Sequence, residues 1–339
     1  MAPVRNARVL FNQAPKGYPV PGETTVYDES QTIDLNTVPL NGGVLFKTLL
    51  LSIDPFLRRL MPDGDRDWLQ FVVGQPLFGL GIAVVVRSEN DDARPGDHFT
   101  GMTLHQEYFV SPSVKDMQLL VKEPGLSWAK YLGSAGMVGK TAYKGWREFS
   151  KAKKAKTVFV TSGAGAVGSL VIQLAKRDGT KVIASAGSDA KVEYMKSLGA
   201  DVAFNYKTES TKAILEREGP IDIFWDHVGG ETLDIALNAA NKFARFIICG
   251  SISTYNGENP GVKNTHLLTS KSITMSGFSV LDWDKYDDEF YATFPKLLAS
   301  GELVSREQVT PGLDQVGQVI LDVQKGNTTG KAVILVAEE

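Results

Sequence analysis

Hydrophobic and polar positions change rhythm along the chain, and the changes divide it. Up to about residue 129, short apolar runs of β type (Gly43–Leu50, Gly81–Arg87, Glu107–Val110) are separated by Gly and Pro, which predicts an all-β unit of short strands and turns. From 130 to 303, helical and β-type segments alternate, the order that builds a doubly wound parallel sheet. Its strands are expected at Thr157–Thr161, Lys181–Ser185, Ile221–Trp225, Arg245–Cys249 and Ser272–Ser276. Amphipathic helices are expected from the end of the glycine cluster near Gly168 to about Arg177, and from Ala190 to Leu198. The tail, 304–339, ends in the β-type run Lys331–Val336, expected to rejoin the first unit. The fold class is thus α/β, with domains at 1–129, 130–303 and 304–339, the last returning to the first.

The first strand of the alternating part enters Gly163-Ala164-Gly165-Ala166-Val167-Gly168. Strand, G-x-G-x-x-G, helix and second strand form the βαβ unit that binds dinucleotides. Gly163 is expected to allow the tight turn, Gly165 to let backbone approach a pyrophosphate, and Gly168 to let helix and sheet pack closely. Helix amides would then receive the anion. The alternative is an ordinary glycine-rich turn, which the flanking elements disfavour. The second strand ends in Ala186-Gly187-Ser188, where an NAD site usually places a carboxylate. Lys191 then offers an ammonium to a 2′-phosphate, unless it is only a solvated helix lysine. Asp189 could bind a ribose, but its expected role is to cap the helix. The cofactor leans to NADPH.

Composition narrows the class. At 339 residues, two domains are the natural division; 43% hydrophobic and 22% charged residues describe a globular protein with a sizeable core. A net charge of −3 and pI near 5.9 give no footprint for nucleic acid. No apolar run is long enough for a membrane span and no secretory signal is visible, so a cytoplasmic location is expected. Cys249 stands alone, which excludes an internal disulfide. With one Cys and His98, His105, His227 and His266 scattered, neither a Cys-rich catalytic nor a four-cysteine structural zinc site assembles, so hydride transfer without metal is expected. Ser134–Thr141 nearly matches a phosphate loop, but no buried strand precedes it and a helix start is the better reading, so a nucleotide hydrolase or kinase is distant. Asn327-Thr328-Thr329 is a chance glycosylation sequon. His98 and His105 are expected to lack partners and roles.

Several stretches together resemble one family. They are Leu51–Phe56, Ser162–Gly168, Ala186–Asp189, Ala203–Lys207, Asp226–Glu231, Cys249–Asn256 and Gly330–Val333. In register over nearly the whole chain they are similar to the zinc-independent medium-chain dehydrogenase/reductases containing leukotriene B4 12-hydroxydehydrogenase/prostaglandin reductase and the alkenal double-bond reductases. The resemblance implies a Rossmann domain inserted in a GroES-like catalytic domain, NADPH as hydride donor, an α,β-unsaturated aldehyde or ketone as acceptor, and a homodimer, with edge pairing near Lys271–Gly277. It implies cofactor contacts at Met137, Thr141, Gly163, Gly165, Ala166, Val167, Gly168, Lys191, Tyr206, His227, Cys249, Gly250, Ser251, Ile252, Ser253, Tyr255, Phe278, Ser279, Val280 and Thr328. Lys191 and Tyr206 would meet the 2′-phosphate; Tyr206 by itself would be a half-buried packing residue. Cys249 would be a small residue near the cofactor and not a nucleophile. The chain departs from the family in four places: Phe56 for Tyr, Ser162 for Ala, and His227 and Thr328 each for Asn. The last two put individual cofactor hydrogen bonds in doubt. Asn327, beside Thr328, should point elsewhere if the segment is extended.

The reaction implied is conjugate reduction, with hydride delivered to the β-carbon and charge developing on the carbonyl oxygen. Tyr255 is the candidate donor to that oxygen, its alternative being a turn tyrosine before Asn256-Gly257. Phe56, Trp68, Tyr255 and Phe278 are the candidate substrate contacts, with Trp283 and Tyr286 nearby and equally suited to packing. Two rivals stand: a quinone reductase of the same superfamily, and an NADPH-binding protein without enzymatic turnover.

Overall fold

The computed structural model describes residues 2–62, 69–259, 261–282 and 284–339. The chain forms two compact units: one runs through Leu132 and resumes at Glu307–Glu339, the other is Gly133–Arg306. Among the described residues no helix is long and apolar enough to cross a membrane.

The Gly133–Arg306 unit opens with helix α1 (Met137–Phe149) and continues with strand β1 (Thr157–Val160), α2 (Ala166–Arg177), β2 (Lys181–Ala186), α3 (Asp189–Ser197) and β3 (Val202–Asn205). After a further helix, Thr211–Glu218, come β4 (Ile221–Asp226), α4 (Gly230–Ala239), β5 (Ala240–Ile248), β6 (Thr274–Gly277) and α5 (Asp287–Ala299). The six strands lie in the order β3-β2-β1-β4-β5-β6, every pair parallel. Reversal of direction at β1 makes the topological switch point of an open α/β sheet, outside whose strand ends ligands bind. The central strands are apolar almost throughout, Val158, Phe159 and Val160 being fully buried, because helices cover both faces of such a sheet. Phe159, Phe204, Phe224 and Phe246 pack with Leu233, Leu237 and Ile273 into one core.

Strand ends shift by small amounts from those the pattern predicts. β5 begins at Ala240, ahead of the expected Arg245, and passes through a register shift with Phe243 left-handed at φ 66°. Ser272, expected in a strand, sits at φ 51° in a turn, and β6 starts at Thr274. The segment resembling a phosphate loop is a turn and the first turns of α1, preceded by the helix Trp128–Leu132.

In the other unit the main sheet runs Glu307–Pro311, Lys331–Leu335, Val44–Ile53, Phe78–Ser88, His98–Leu104, Gln118–Leu119, with Tyr108–Ser111 also paired to Val44–Ile53. The tail strand joins antiparallel, Ala332 opposite Ile53 and Leu335 opposite Leu50. Leu51, Leu57, Val316, Ile320 and Ile334 share its core. Where that core meets Pro55–Leu60, the buried Lys331 ammonium lies 2.7 Å from Asp54 Oδ1 and donates to the Ile53 carbonyl (2.8 Å), while the Ser52 hydroxyl donates to the other Asp54 oxygen.

Candidate functional site

The carboxyl ends of β1, β2, β4 and β5 carry most of the residues singled out in the sequence. After β1, the Thr161 amide donates to the Trp225 carbonyl (3.1 Å) and Gly163 to Ser185 (2.9 Å), fixing the turn between its neighbouring strands. The left-handed residue of this turn is Ser162, at φ 49°, and not Gly163 as the glycine pattern suggests. Gly163 is required for space instead: a Cβ there would stand 2.6 Å from Met195 Sδ and 3.0 Å from the Ala184 methyl. At Gly168 it would stand 2.4 Å from the Ser162 carbonyl oxygen, which is the close helix approach expected. Gly165 is the N-cap of α2 and has no side chain to spend on the helix amides. Ala166 and Val167, half-buried, begin that helix. The turn therefore presents helix N-terminal amides that no side-chain cap satisfies, the cradle an anion such as pyrophosphate fits.

At the end of β2, small residues give way to a cluster of cations. A Cβ on Gly187 would lie 3.0 Å from Tyr206 Oη and 3.1 Å from Lys207 Cε. Lys191 is half-buried, and burial together with the nearby Lys207 ammonium lowers its pKa below the ordinary lysine value. Tyr206 is 54% exposed, so it is not the packing tyrosine its sequence context allows. Lys207 was not singled out in the sequence; its adjacency to Tyr206 was the available signal. Asp189 does not cap α3: it is the first helical residue, Ser188 holds the N-cap position, and Asp189 Oδ1 accepts from Asn205 Nδ2 (2.9 Å). A carboxylate held this way is engaged by the protein itself.

The loops after β4 and β5 are knitted together around Asp226. Its buried carboxylate accepts from the amides of Val228 (2.8 Å) and Gly229 (3.0 Å), and its carbonyl accepts from Cys249 (2.8 Å) and Gly250 (3.1 Å). Burial outweighs those amide bonds and raises the carboxyl to about 6. Ile252 donates to the His227 carbonyl (3.1 Å), and Ser253 donates to Val228 through its amide (3.1 Å) and its hydroxyl (2.6 Å). Gly229, at φ 71°, sits where a Cβ would press 3.0 Å from Ser251 Cβ. His227 is spent in this scaffold. Trp225 Nε1 donates to its Nε2 (3.0 Å), so Nδ1 carries the proton and donates to the Thr161 carbonyl (2.7 Å), while its amide donates to Thr161 Oγ1 (2.8 Å). Both ring nitrogens thus have partners within the protein, at a position whose exchange for Asn puts a cofactor hydrogen bond in doubt. Its burial lowers the imidazole to about 4. Burial, with Asp226 adding to it, pushes the Cys249 thiol up to about 12, a value unsuited to a nucleophile. Tyr255 follows the short helix Ile252–Thr254, and its hydroxyl lies 3.6 Å from where a Cβ on Gly250 would stand.

On α1, the Thr141 hydroxyl donates to the Met137 carbonyl (2.7 Å), so it can meet a ligand only as an acceptor. Phe278 turns its ring inward against Gly145, Trp225 and Phe149 of its own unit. Ser279 Oγ accepts from the Leu281 amide (3.2 Å), and the Val280 carbonyl accepts from Lys144. Phe56 and Thr328 belong to the other unit, both half-buried. Asn327 Nδ2 donates to Asp322 Oδ1 (3.1 Å), away from the position of Thr328. Trp68 and Trp283 lie outside the described residues. Tyr286 donates to Glu148 on α1. His98 has partners after all: its ring stacks on Trp128 (4.4 Å) and Nε2 is 2.8 Å from Glu339 Oε1. His105 is fully buried with neither nitrogen hydrogen-bonded among the described residues, and burial lowers it to about 3. Among the described residues no three His, Cys, Asp or Glu side chains are grouped to hold a metal ion.

Comparison with known proteins agrees with this layout. The family described as zinc-binding dehydrogenase matches residues 166–298, and that described as the N-terminal domain of oxidoreductase matches 8–120. The chain is 39% identical to the NADP-dependent oxidoreductase RED1 of Cochliobolus heterostrophus, over 98% of each chain. It is 37% identical to an NADP(+)-dependent 2-alkenal reductase of Nicotiana tabacum, over 99% of both. The crystal structure of CurA from Vibrio vulnificus, in complex with NADPH, has a TM-score of 0.89 at 28% identity, covering 98% of this chain and all of that one (100%).

Proposed function

This chain belongs to the zinc-independent medium-chain dehydrogenase/reductases, and on that premise we propose that it uses NADPH to reduce the C=C bond of α,β-unsaturated aldehydes and ketones. The observation that carries the cofactor is the cluster at the end of β2, where Lys207 and Tyr206 lie against Gly187, the Lys207 charge reaches Lys191, and Asp189 is engaged by Asn205. A 2′-phosphate there would relieve the repulsion between the two ammonium groups, which a bare ribose would not. The α2 N-terminus takes the pyrophosphate and the loops after β4 and β5 line the rest. NADPH supplies the hydride. What the chain supplies is orientation, exclusion of water, and a donor at the substrate oxygen. Tyr255 is that donor, its phenol bonding more strongly to an enolate oxygen than to the ground-state carbonyl. The 37% identity to a 2-alkenal reductase supports the substrate class. β6 ends the six-stranded sheet, and its outer edge is the proposed seam of a homodimer.

A panel of 2-alkenals, enones and simple quinones, followed by NADPH loss, tests the reading. Enals and enones should turn over and quinones poorly. Faster turnover of quinones would move the protein to the quinone reductases. NADPH binding with no turnover of any acceptor would make it a binding protein.

A further inference from the structure

The residue pair Lys140 and Lys144, one turn apart on α1, takes no part in the function above. Lys144 is 1% exposed, an ammonium inside a helix interface. Its Nζ lies 2.7 Å from Asp287 Oδ1, at the first residue of α5, and donates to the Val280 carbonyl at 3.1 Å. Lys140 reaches the other Asp287 oxygen at 3.7 Å and passes 5.4 Å from the centre of the Tyr291 ring. Beside Lys144, Gly145 makes room for the Phe278 ring, since a Cβ would stand 2.5 Å from Phe278 Cζ. The segment 278–280 is therefore fixed to α1 at both ends, by a ring seated on a glycine and by a carbonyl held on a buried ammonium.

Burying a lysine is costly, and its ion pair recovers only part of that, so such a pair contributes little to stability compared with an apolar side chain of the same length. It does constrain geometry, because the ammonium is bonded to the Val280 carbonyl and faces the Asp287 carboxylate at once. We infer that Lys144, balanced by Asp287, is a positioning residue that locks the Phe278–Val280 segment to α1, so that this segment holds one fixed orientation toward the nicotinamide. The inference rests on the proposed function in assigning 278–280 to the nicotinamide side. It concerns residues of this chain only and adds no step to the chemistry.

The test uses the full-length enzyme with Lys144→Met, which keeps the stem and removes the charge, and the double variant Lys144→Met/Asp287→Asn, which also removes the carboxylate that then keeps only Lys140, at 3.7 Å. Three quantities are read: the thermal midpoint, the NADPH dissociation constant by fluorescence, and the single-turnover rate with an enal. Amide hydrogen exchange of the 278–282 peptide is followed with and without NADPH. Lys144→Met should loosen that peptide, change the dissociation constant by no more than about threefold, and slow single turnover by about tenfold or more, as small misplacements do. The double variant should regain the thermal midpoint without regaining the rate. If rate and midpoint recover together, or if exchange of 278–282 is unchanged in Lys144→Met, the positioning role is wrong. Should the wild-type enzyme reduce no acceptor, the activity reading fails separately. Exchange then decides: NADPH protection of 278–282 that disappears in Lys144→Met upholds the clamp, and equal protection in both overturns it.

Discussion

On the proposed function, single side chains at the strand ends divide into those that meet ligand and those that hold the others in place. Tyr255 belongs to the first group. Tyr255→Phe removes one hydroxyl and keeps the ring, so NADPH affinity should hold while single-turnover reduction of an enal falls about ten- to hundredfold, the loss of one donor partly compensated by water. An unchanged rate would make Tyr255 scaffold. In the proposed reading Lys191 and Lys207 share one phosphate. Lys191→Ala should raise the Michaelis constant for NADPH and leave NADH largely unaffected, and Lys207→Ala should do the same more weakly because its ammonium is less buried. Equal losses for both cofactors would remove the phosphate assignment. His227 belongs to the second group, with every polar atom of its ring engaged by Trp225 and Thr161.

At the scale of elements, buried lysines tie segments together. The tail strand Lys331–Leu335 is fastened to the start of Pro55–Leu60, and so to the turn bearing Phe56, by Lys331 against Asp54. Both groups are almost wholly buried, so cutting the pair on one side strands a charge in the core. Lys331→Met should lower unfolding free energy by about 3–5 kcal/mol, measured by urea denaturation. Lys331→Met with Asp54→Leu should recover much of that. A double variant as unstable as the single would mean that the stem and not the charge carries the contribution.

For the whole molecule, buried titratable groups set how stability depends on pH. His105 and His227 have folded pKa values of about 3 and about 4, below the ordinary 6.5. Their stability is present above 6.5 and is lost as pH falls, at roughly 1.4 kcal/mol per pH unit for each. Asp226 has the opposite sign: raised to about 6 from 3.8, it favours the folded state as pH drops through 6. Two histidines outweigh one aspartate. Between pH 7 and pH 5 the protein should lose on the order of 2 kcal/mol, read from urea midpoints at the two pH values. His105→Phe should flatten part of that slope, and a slope unaltered by it would show that His105 is not the group being titrated.

Periodicity and glycine spacing by themselves determined the α/β class, the βαβ unit and the place of its glycine turn, because those depend on local patterns within some thirty residues. Single-cysteine composition likewise settled that no Cys-rich zinc site can form. What the sequence could not show is which neighbour each polar side chain meets. Asp189 reads as a cap until Asn205, sixteen residues on, takes its carboxylate. His227 reads as a doubtful replacement for an Asn, with nothing in the sequence to show that Trp225 and Thr161 meet its two nitrogens. Gly163 reads as the turn residue, yet Ser162 adopts the positive φ while Met195, on the next helix, takes the space a side chain would need. Nothing in the pattern marks Lys144 as buried, and it is α5 and the Val280 carbonyl, brought against α1, that enclose it. Each of these turns on a contact across the sheet or between helices, and a hydrogen bond or a buried charge is settled only when the fold has chosen its partner.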